Sequence, residues 1–132
     1  MWLREVVAIQ AIGVLSAGGA CFADEVSLAG VWKGESVCVT AASSCTNETV
    51  IYYLEDVPGH PDQVTVRADK IVDGRAVVMG TGQWTHDRVR RTLEWEAGGR
   101  VWLLHINGDR MDGSLILQDK TVFRKMTLQK LN

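Results

Sequence analysis

The sequence predicts an all-β fold, a single antiparallel meander of short strands that closes into a small barrel. Apolar residues alternate with polar ones, or form short apolar runs of strand length, throughout residues 29–131. Turn dipeptides separate these segments at short intervals, and no segment shows a convincing helical period. Because such a sheet has one wet face and one apolar face, it must curl closed or pack on something, and closure needs no second domain.

Nine strands are predicted from this pattern, at residues 29–40, 48–57, 63–72, 75–81, 83–88, 91–97, 100–107, 110–118 and 121–131. Two-residue hairpin turns are expected at Asp73-Gly74, Gly98-Gly99 and Asn107-Gly108, because glycine and asparagine accept the positive φ of primed turns. A longer loop is expected at Pro58-Gly59-His60-Pro61, and a polar turn at Gln118-Asp119-Lys120. Each strand is therefore expected to pair with its neighbour in the chain.

Alternation assigns side chains to faces on the later strands, since every second residue of a strand shares a side. Leu93 and Trp95 are expected to point inward, with the acidic residues between and after them pointing outward. Residues 101–106 are apolar on both faces, which predicts either a covered outer face or a contact surface. On the last strand, Arg124 shares a face with Met126 and other apolar residues.

The first 23 residues have the layout of a secretory signal peptide, and residues 24–132 then form one barrel domain. A short charged start is followed by an apolar run from Val6 to Ala20 and by small residues before Asp24. Retention of this segment as a membrane anchor is disfavoured because the run is diluted by polar and glycine residues. The expected location is secreted or periplasmic, with lipid anchoring through Cys21 as the alternative because a small residue precedes that cysteine.

The remaining two cysteines, Cys38 and Cys45, are predicted to form a disulfide. An oxidising compartment favours a disulfide over a redox or metal site for two cysteines at this spacing. The closed loop is short, so we expect the bond mainly to hold a loop in place.

Composition and motifs exclude several classes of function. The net charge is −2 and the charges are mixed along the chain, so no basic stripe for nucleic acid is expected. The three histidines, His60, His86 and His105, have no spacing that brings metal ligands together, so neither a metal nor a cofactor is predicted. Ser36 stands in Gly34-Glu35-Ser36-Val37-Cys38, which lacks the second glycine and the following helix of a nucleophile elbow. The protein is therefore not expected to be an enzyme.

Residues near both ends of the domain resemble the closure signature of lipocalins. Gly30-Val31-Trp32 begins the first predicted strand, and Arg124 lies on the last one. The resemblance implies a lipocalin-like barrel in which Arg124 packs over Trp32 at the closed end. The segment 107–124 also resembles the terminal hairpins of the wider calycin group, although the Arg-x-Tyr of fatty-acid-binding proteins is replaced here by Arg124-Lys125-Met126.

Two functions follow as expectations. The first is a non-catalytic binding protein for a small apolar or amphipathic ligand, with candidate ligand-binding residues at Trp32, Trp84, Trp95, Trp102 and Arg124. The alternative is a cell-envelope protein–protein interaction module with a filled barrel, which uses the doubly apolar strand 101–106. An apolar cavity of about 300 Å³ or more favours the ligand binder, whereas a filled interior with an exposed apolar patch favours the module.

Overall fold

The computed structural model describes residues 27–39 and 44–132, which form one closed antiparallel barrel of eight strands. The strands are β1 (Gly30–Cys38), β2 (Glu48–Val57), β3 (His60–Val72), β4 (Arg75–Asp87), β5 (Thr92–Ala97), β6 (Arg100–Asn107), β7 (Arg110–Ile116) and β8 (Val122–Lys130). Each strand pairs with the next in the chain, and β8 pairs with β1. The predicted all-β meander and its closure into a barrel are confirmed. Among the described residues, no helix is long and apolar enough to cross a membrane.

The prediction of separate strands at 75–81 and 83–88 is wrong, because residues 75–87 form the single strand β4. Gly80 and Gly82 lie inside it without breaking it, since its ladder to β3 runs from Arg75 to Thr85. The ladder contains one β-bulge, at which Met79 is the extra residue between the paired Val78 and Gly80. Strand pairing on one edge therefore overrides the weak strand propensity of the two glycines.

Two of the predicted hairpin turns are confirmed and two loops differ. Asp73-Gly74 and Gly98-Gly99 both have positive φ at each residue, as their composition predicts. The β6–β7 turn is Gly108-Asp109, one residue later than predicted. The β2–β3 loop is only Pro58-Gly59, and β3 already begins at His60, where an irregular register tolerates the proline that follows.

The barrel interior is filled largely by its own side chains. Leu93 is fully buried and Trp95 packs against the core, as the alternation predicts, while Glu94 and Glu96 are exposed. The buried apolar residues are Leu28, Trp32, Val50, Tyr52, Leu54, Val64, Val66, Trp84, Leu93, Leu104, Met111, Leu115, Met126 and Leu128. They come from all eight strands and from the segment before β1, so they form one continuous core.

The outer face of β6 is not an exposed apolar surface. Val101 and Leu103 are half-buried there, and no residue of β6 belongs to the exposed large hydrophobic residues of the described chain. Four of those exposed residues lie instead at the β3–β4 hairpin, namely Val72, Val77, Val78 and Met79. The exposed apolar surface is therefore on a different pair of strands from the one that the sequence pattern indicates.

The predicted disulfide is confirmed. Cys38 and Cys45 are bonded at an S–S distance of 2.02 Å and connect the end of β1 to the segment before β2. The side chain of Asn47 accepts a 2.8 Å hydrogen bond from the backbone N–H of Cys38. A disulfide is compatible with an oxidising secreted or periplasmic compartment. The predicted signal peptide, residues 1–23, and Cys21 lie outside the described residues.

Candidate functional site

A cavity of about 230 Å³ lies between β2, β3, β4, β5 and β6. We call it the aromatic cavity. Its lining residues are Tyr52, Val66, Ala68, Met79, Gly80, Thr81, Gly82, Trp84, Trp95 and Trp102. Three of the five predicted ligand-binding residues, Trp84, Trp95 and Trp102, therefore converge on one cavity, while Trp32 and Arg124 are not part of its lining.

The cavity forms where β4 and β5 separate. The two strands form only three residue pairs, from Asp87 opposite Thr92 to Thr85 opposite Glu94. One edge of residues 75–84 therefore has no partner strand in the described part of the chain. The indole of Trp95 lies against β4 in this gap, since a Cβ added at Gly82 would sit 2.9 Å from that ring. A Cβ added at Gly80 would meet no atom within 4 Å, so this glycine borders open space.

Four aromatic rings form a continuous row along the cavity. Tyr52 meets Trp84 edge-on, with ring centroids 5.9 Å apart. Trp84 stacks on Trp95 at 5.7 Å and an interplanar angle of 19°, and Trp95 meets Trp102 at 5.0 Å and 34°. Aromatic pairs favour these offset and edge arrangements. The row gives the cavity a rigid, largely apolar aromatic wall.

The buried polar side chains of this wall are few and poorly paired. The Tyr52 hydroxyl donates to the thioether sulfur of Met126 at 3.6 Å, a weak acceptor. Burial, and then the negative charge of Glu48, raise the pKa of Tyr52, so the hydroxyl stays protonated at neutral pH. Trp84 is only 3% exposed, and its indole N–H has no hydrogen-bond acceptor among the described residues. Buried tyrosine hydroxyls and buried indole N–H groups normally have good hydrogen-bond acceptors.

Sequence reasoning missed seven of the ten lining residues, among them Tyr52, Met79 and the two glycines. The signal for the glycines is present in the sequence, because Gly80 and Gly82 alternate with Trp84 on one face of a strand. Glycine inside a strand often marks a close approach of another group, which here is the Trp95 ring. Tyr52 could not be distinguished from an ordinary core residue, and the position of Met79 depends on a bulge that leaves no sequence signature.

The prediction that Arg124 packs over Trp32 is wrong. The guanidinium of Arg124 donates to the backbone oxygen and hydroxyl of Ser36, at 3.3 and 3.2 Å, and to the backbone oxygen of Thr46 at 2.9 Å. It also lies 3.7 Å from a carboxylate oxygen of Glu48. Arg124 thus ties β8 to β1 and to the segment that follows the disulfide.

Lys130 occupies the place expected for Arg124. Its ammonium lies 5.9 Å from the centre of the Trp32 ring, and the two residues are partners in the β1–β8 register. Arg124 instead pairs with Cys38, which lies six residues after Trp32 on β1. The two positions are about 20 Å apart along the strand. Because β1 and β8 are antiparallel, the residue beside the start of β1 must come from the end of β8. That rule would have selected Lys130.

A second concavity of about 210 Å³ includes His60 and His86 in its wall. Burial, and then the charge of Arg88, lower the pKa of His86 and favour its neutral form. Within residues 27–39 and 44–132, no group of three or more histidine, cysteine or acidic side chains could hold a metal ion. The described residues of this concavity form a partly polar depression and show no arrangement of catalytic groups.

Comparison with other proteins assigns no family. No protein-family model, no curated protein and no solved structure matches the chain. What the structure establishes is an eight-stranded antiparallel closed barrel, which is consistent with a small calycin-like barrel. Function must therefore be argued from the site itself.

Proposed function

We propose that this protein is a secreted or periplasmic, non-catalytic binding protein that holds a small apolar or amphipathic ligand in the aromatic cavity. The convergence of Trp84, Trp95 and Trp102 on one uncharged cavity carries the proposal. Apolar and aromatic walls with few polar groups are typical of small-molecule sites. The architecture supports a lipocalin-like assignment, with Lys130 rather than Arg124 beside Trp32.

The size of the cavity limits the ligand. At about 230 Å³ it falls short of the volume of about 300 Å³ that by itself would favour a ligand binder over an interaction module, so the proposal rests on the aromatic wall and not on volume. Trp32 and Arg124 do not touch it, so they have structural roles in this proposal rather than binding roles. A molecule of modest size fits, and a long acyl chain does not.

Substitution of Gly80 tests the proposal. Leucine there extends into open space beside the cavity without meeting protein atoms within 4 Å of its Cβ, so Gly80→Leu should occupy the site while leaving the barrel folded. Gln83→Leu adds the same side chain on the exposed face of the same strand and serves as the control. Native mass spectrometry of the exported protein should show a bound small molecule in the wild type and in Gln83→Leu. The molecule should be lost in Gly80→Leu, and its retention there would contradict the proposal.

A second candidate function is supported by the β3–β4 hairpin. Val77 and Val78 are exposed, and the adjacent edge of residues 75–84 lacks a partner strand among the described residues. An unpaired apolar edge is a template for another strand, so the candidate partner is an extended segment of an envelope protein that pairs with β4. Amide exchange of residues 76–82 should slow in such a complex, and Val78→Lys should abolish it. Val89→Lys, at a valine 94% exposed elsewhere, is the control.

A further inference from the structure

We infer that the ligand of the aromatic cavity is a neutral, planar molecule of one or two rings that accepts a hydrogen bond. This inference rests on the proposed function and narrows it from any small apolar or amphipathic ligand to one chemical class. Four properties of the cavity carry it: the charge of its wall, the shape of its wall, its volume and its unpaired donors.

The wall carries no charge to balance an ionised ligand. None of the ten lining residues has a side chain that is charged at neutral pH. Arg124 is the cation whose charge acts on the Tyr52 hydroxyl, and its guanidinium is already bound to Ser36, Thr46 and Glu48. An ion taken out of water without a partner is strongly disfavoured. A carboxylate or an ammonium group inside the cavity is therefore excluded by this wall.

The shape of the wall favours a flat molecule. Trp84 and Trp95 are within 19° of parallel, and Trp102 continues the row at a further tilt of 34°. Gly80 and Gly82 line the same cavity with backbone and no side chain, and Gly82 lies directly against the Trp95 ring. A planar ring can extend such a stacked row, and it loses less conformational entropy on binding than a flexible chain.

The volume sets the number of rings. An engineered apolar cavity of about 150 Å³ holds benzene, so the 230 Å³ of this cavity suits a single substituted ring or two fused rings.

The poorly paired side-chain donors favour a ligand that carries an acceptor. The buried indole N–H of Trp84 has no acceptor among the described residues, and the Tyr52 hydroxyl donates only to a sulfur. A buried donor left without a good acceptor costs free energy. A ring nitrogen or carbonyl oxygen on the ligand would satisfy one of these donors, so a molecule that carries such an atom should bind more tightly than its hydrocarbon counterpart.

Isothermal titration calorimetry of the exported protein with four matched probes tests the inference. Quinoline is planar, neutral at pH 7 and carries one acceptor; naphthalene lacks the acceptor; quinoline-2-carboxylate adds a charge; and 1-octanol is a neutral chain. We expect quinoline to bind about tenfold more tightly than naphthalene, which is the effect of one ordinary hydrogen bond. Quinoline-2-carboxylate and 1-octanol should each bind at least about tenfold more weakly than quinoline.

Two conservative variants identify the donor. Trp84→Phe removes the indole N–H and keeps a ring, and Tyr52→Phe removes the hydroxyl and keeps the ring. One of them should reduce the ratio of quinoline affinity to naphthalene affinity to about one, while Gln83→Leu should leave this ratio unchanged. A wild-type preference near one, or an unchanged preference in both phenylalanine variants, would overturn the assignment of an acceptor.

The outcomes also separate this inference from the function on which it rests. Tighter binding of 1-octanol or of quinoline-2-carboxylate than of quinoline would overturn the ligand class, while a cavity that binds small apolar molecules would stand. Failure of all four probes to bind at millimolar concentration would overturn the proposed function itself. Binding that persists equally in Gly80→Leu would place the probes outside the aromatic cavity and would overturn both.

Discussion

Trp32 shows how a single side chain is fixed at the seam of the barrel. It is fully buried, its indole N–H donates to the backbone oxygen of Leu28 at 3.0 Å, and the Lys130 ammonium lies 5.9 Å from its ring centre. The lysine also donates to the backbone oxygen of Ser27 at 3.3 Å. One aromatic ring thereby links the segment before β1 to the end of β8.

A pair of double-mutant cycles checks which cation interacts with this ring. The cycle of Trp32→Leu with Lys130→Met should give a coupling free energy of about 0.5–1 kcal/mol, as expected for an ammonium at this distance from a ring. The cycle of Trp32→Leu with Arg124→Met should be additive within about 0.5 kcal/mol, because the two side chains share no contact. Urea unfolding measures both. A larger coupling for Arg124 than for Lys130 would contradict the structure.

Tyr52 makes the stability of the fold sensitive to alkaline pH. Its pKa is raised in the folded state, chiefly by burial, whereas in the unfolded chain it is about 10. Above that pH the unfolded chain releases a proton that the folded protein retains, so the free energy of unfolding falls as pH rises. The contribution is fully present below about pH 10 and is lost above it.

The variant Tyr52→Phe isolates this effect, since lysines also titrate in the same range. Between about pH 10 and 11.5, the wild type should lose up to about 1.4 kcal/mol of unfolding free energy per pH unit more than Tyr52→Phe. Parallel pH profiles for the two proteins would show that the hydroxyl ionises as easily when folded as when unfolded.

At the scale of the strands, glycines decide how closely neighbouring strands approach. A Cβ added at Gly34 of β1 would collide with the backbone of Thr127 on β8, and one added at Gly113 of β7 would collide with the backbone of Leu103 on β6. Gly80 of β4 has no such neighbour within 4 Å, because β4 and β5 have separated there. The same residue type therefore closes the barrel in two places and borders an opening in a third.

One substitution at the three positions tests this difference. Gly34→Ala and Gly113→Ala should each lower the free energy of unfolding by about 3 kcal/mol or more, because backbone must move to accommodate the methyl group. Gly80→Ala should be neutral or stabilise by up to about 1 kcal/mol, because alanine restricts the unfolded chain and meets nothing in the folded one. Thermal or urea unfolding gives the comparison. Equal losses at all three sites would contradict the close approaches described.

At the scale of the whole molecule, the barrel needs the pairing of its first and last strands. The β1–β8 ladder spans Trp32–Cys38, and beyond it Leu131 donates to the backbone oxygen of Val31 at 2.8 Å. The contacts of Arg124 with Ser36 secure the opposite end of the same seam, and the disulfide beside them joins the end of β1 to the segment before β2. Contacts so distant in sequence form only after most of the chain is ordered, which favours slow folding.

The processing of the whole chain is a further prediction. Residues 1–23 should be removed on export, because the charged start, the apolar run and the Ala23-Asp24 junction match a signal peptide. The intact mass of the exported protein should correspond to a start at Asp24. A diacylglyceryl group on an N-terminal Cys21 would instead establish a lipoprotein, and a full-length membrane-bound species would rule out both.

The sequence by itself determined the strand content, the antiparallel order, two of the turns and the disulfide partners, because each depends on residues close together in the chain. Alternation sets the face of Leu93, and the two residues of Asp73-Gly74 set their turn. Three of the candidate ligand-binding tryptophans named from the sequence, Trp84, Trp95 and Trp102, also line the aromatic cavity, although alternation assigned only Trp95 to an inward face.

Only the tertiary structure decided which of those side chains meet. Antiparallel order alone directs Trp32 to the end of β8, but the exact partner, Lys130, is set by the register between two strands that are about a hundred residues apart. The aromatic cavity likewise depends on the point where β4 leaves β5, and on a bulge at Met79. Local preferences constrain a strand and its turns, whereas register and separation between distant strands are set by the packing of the complete barrel.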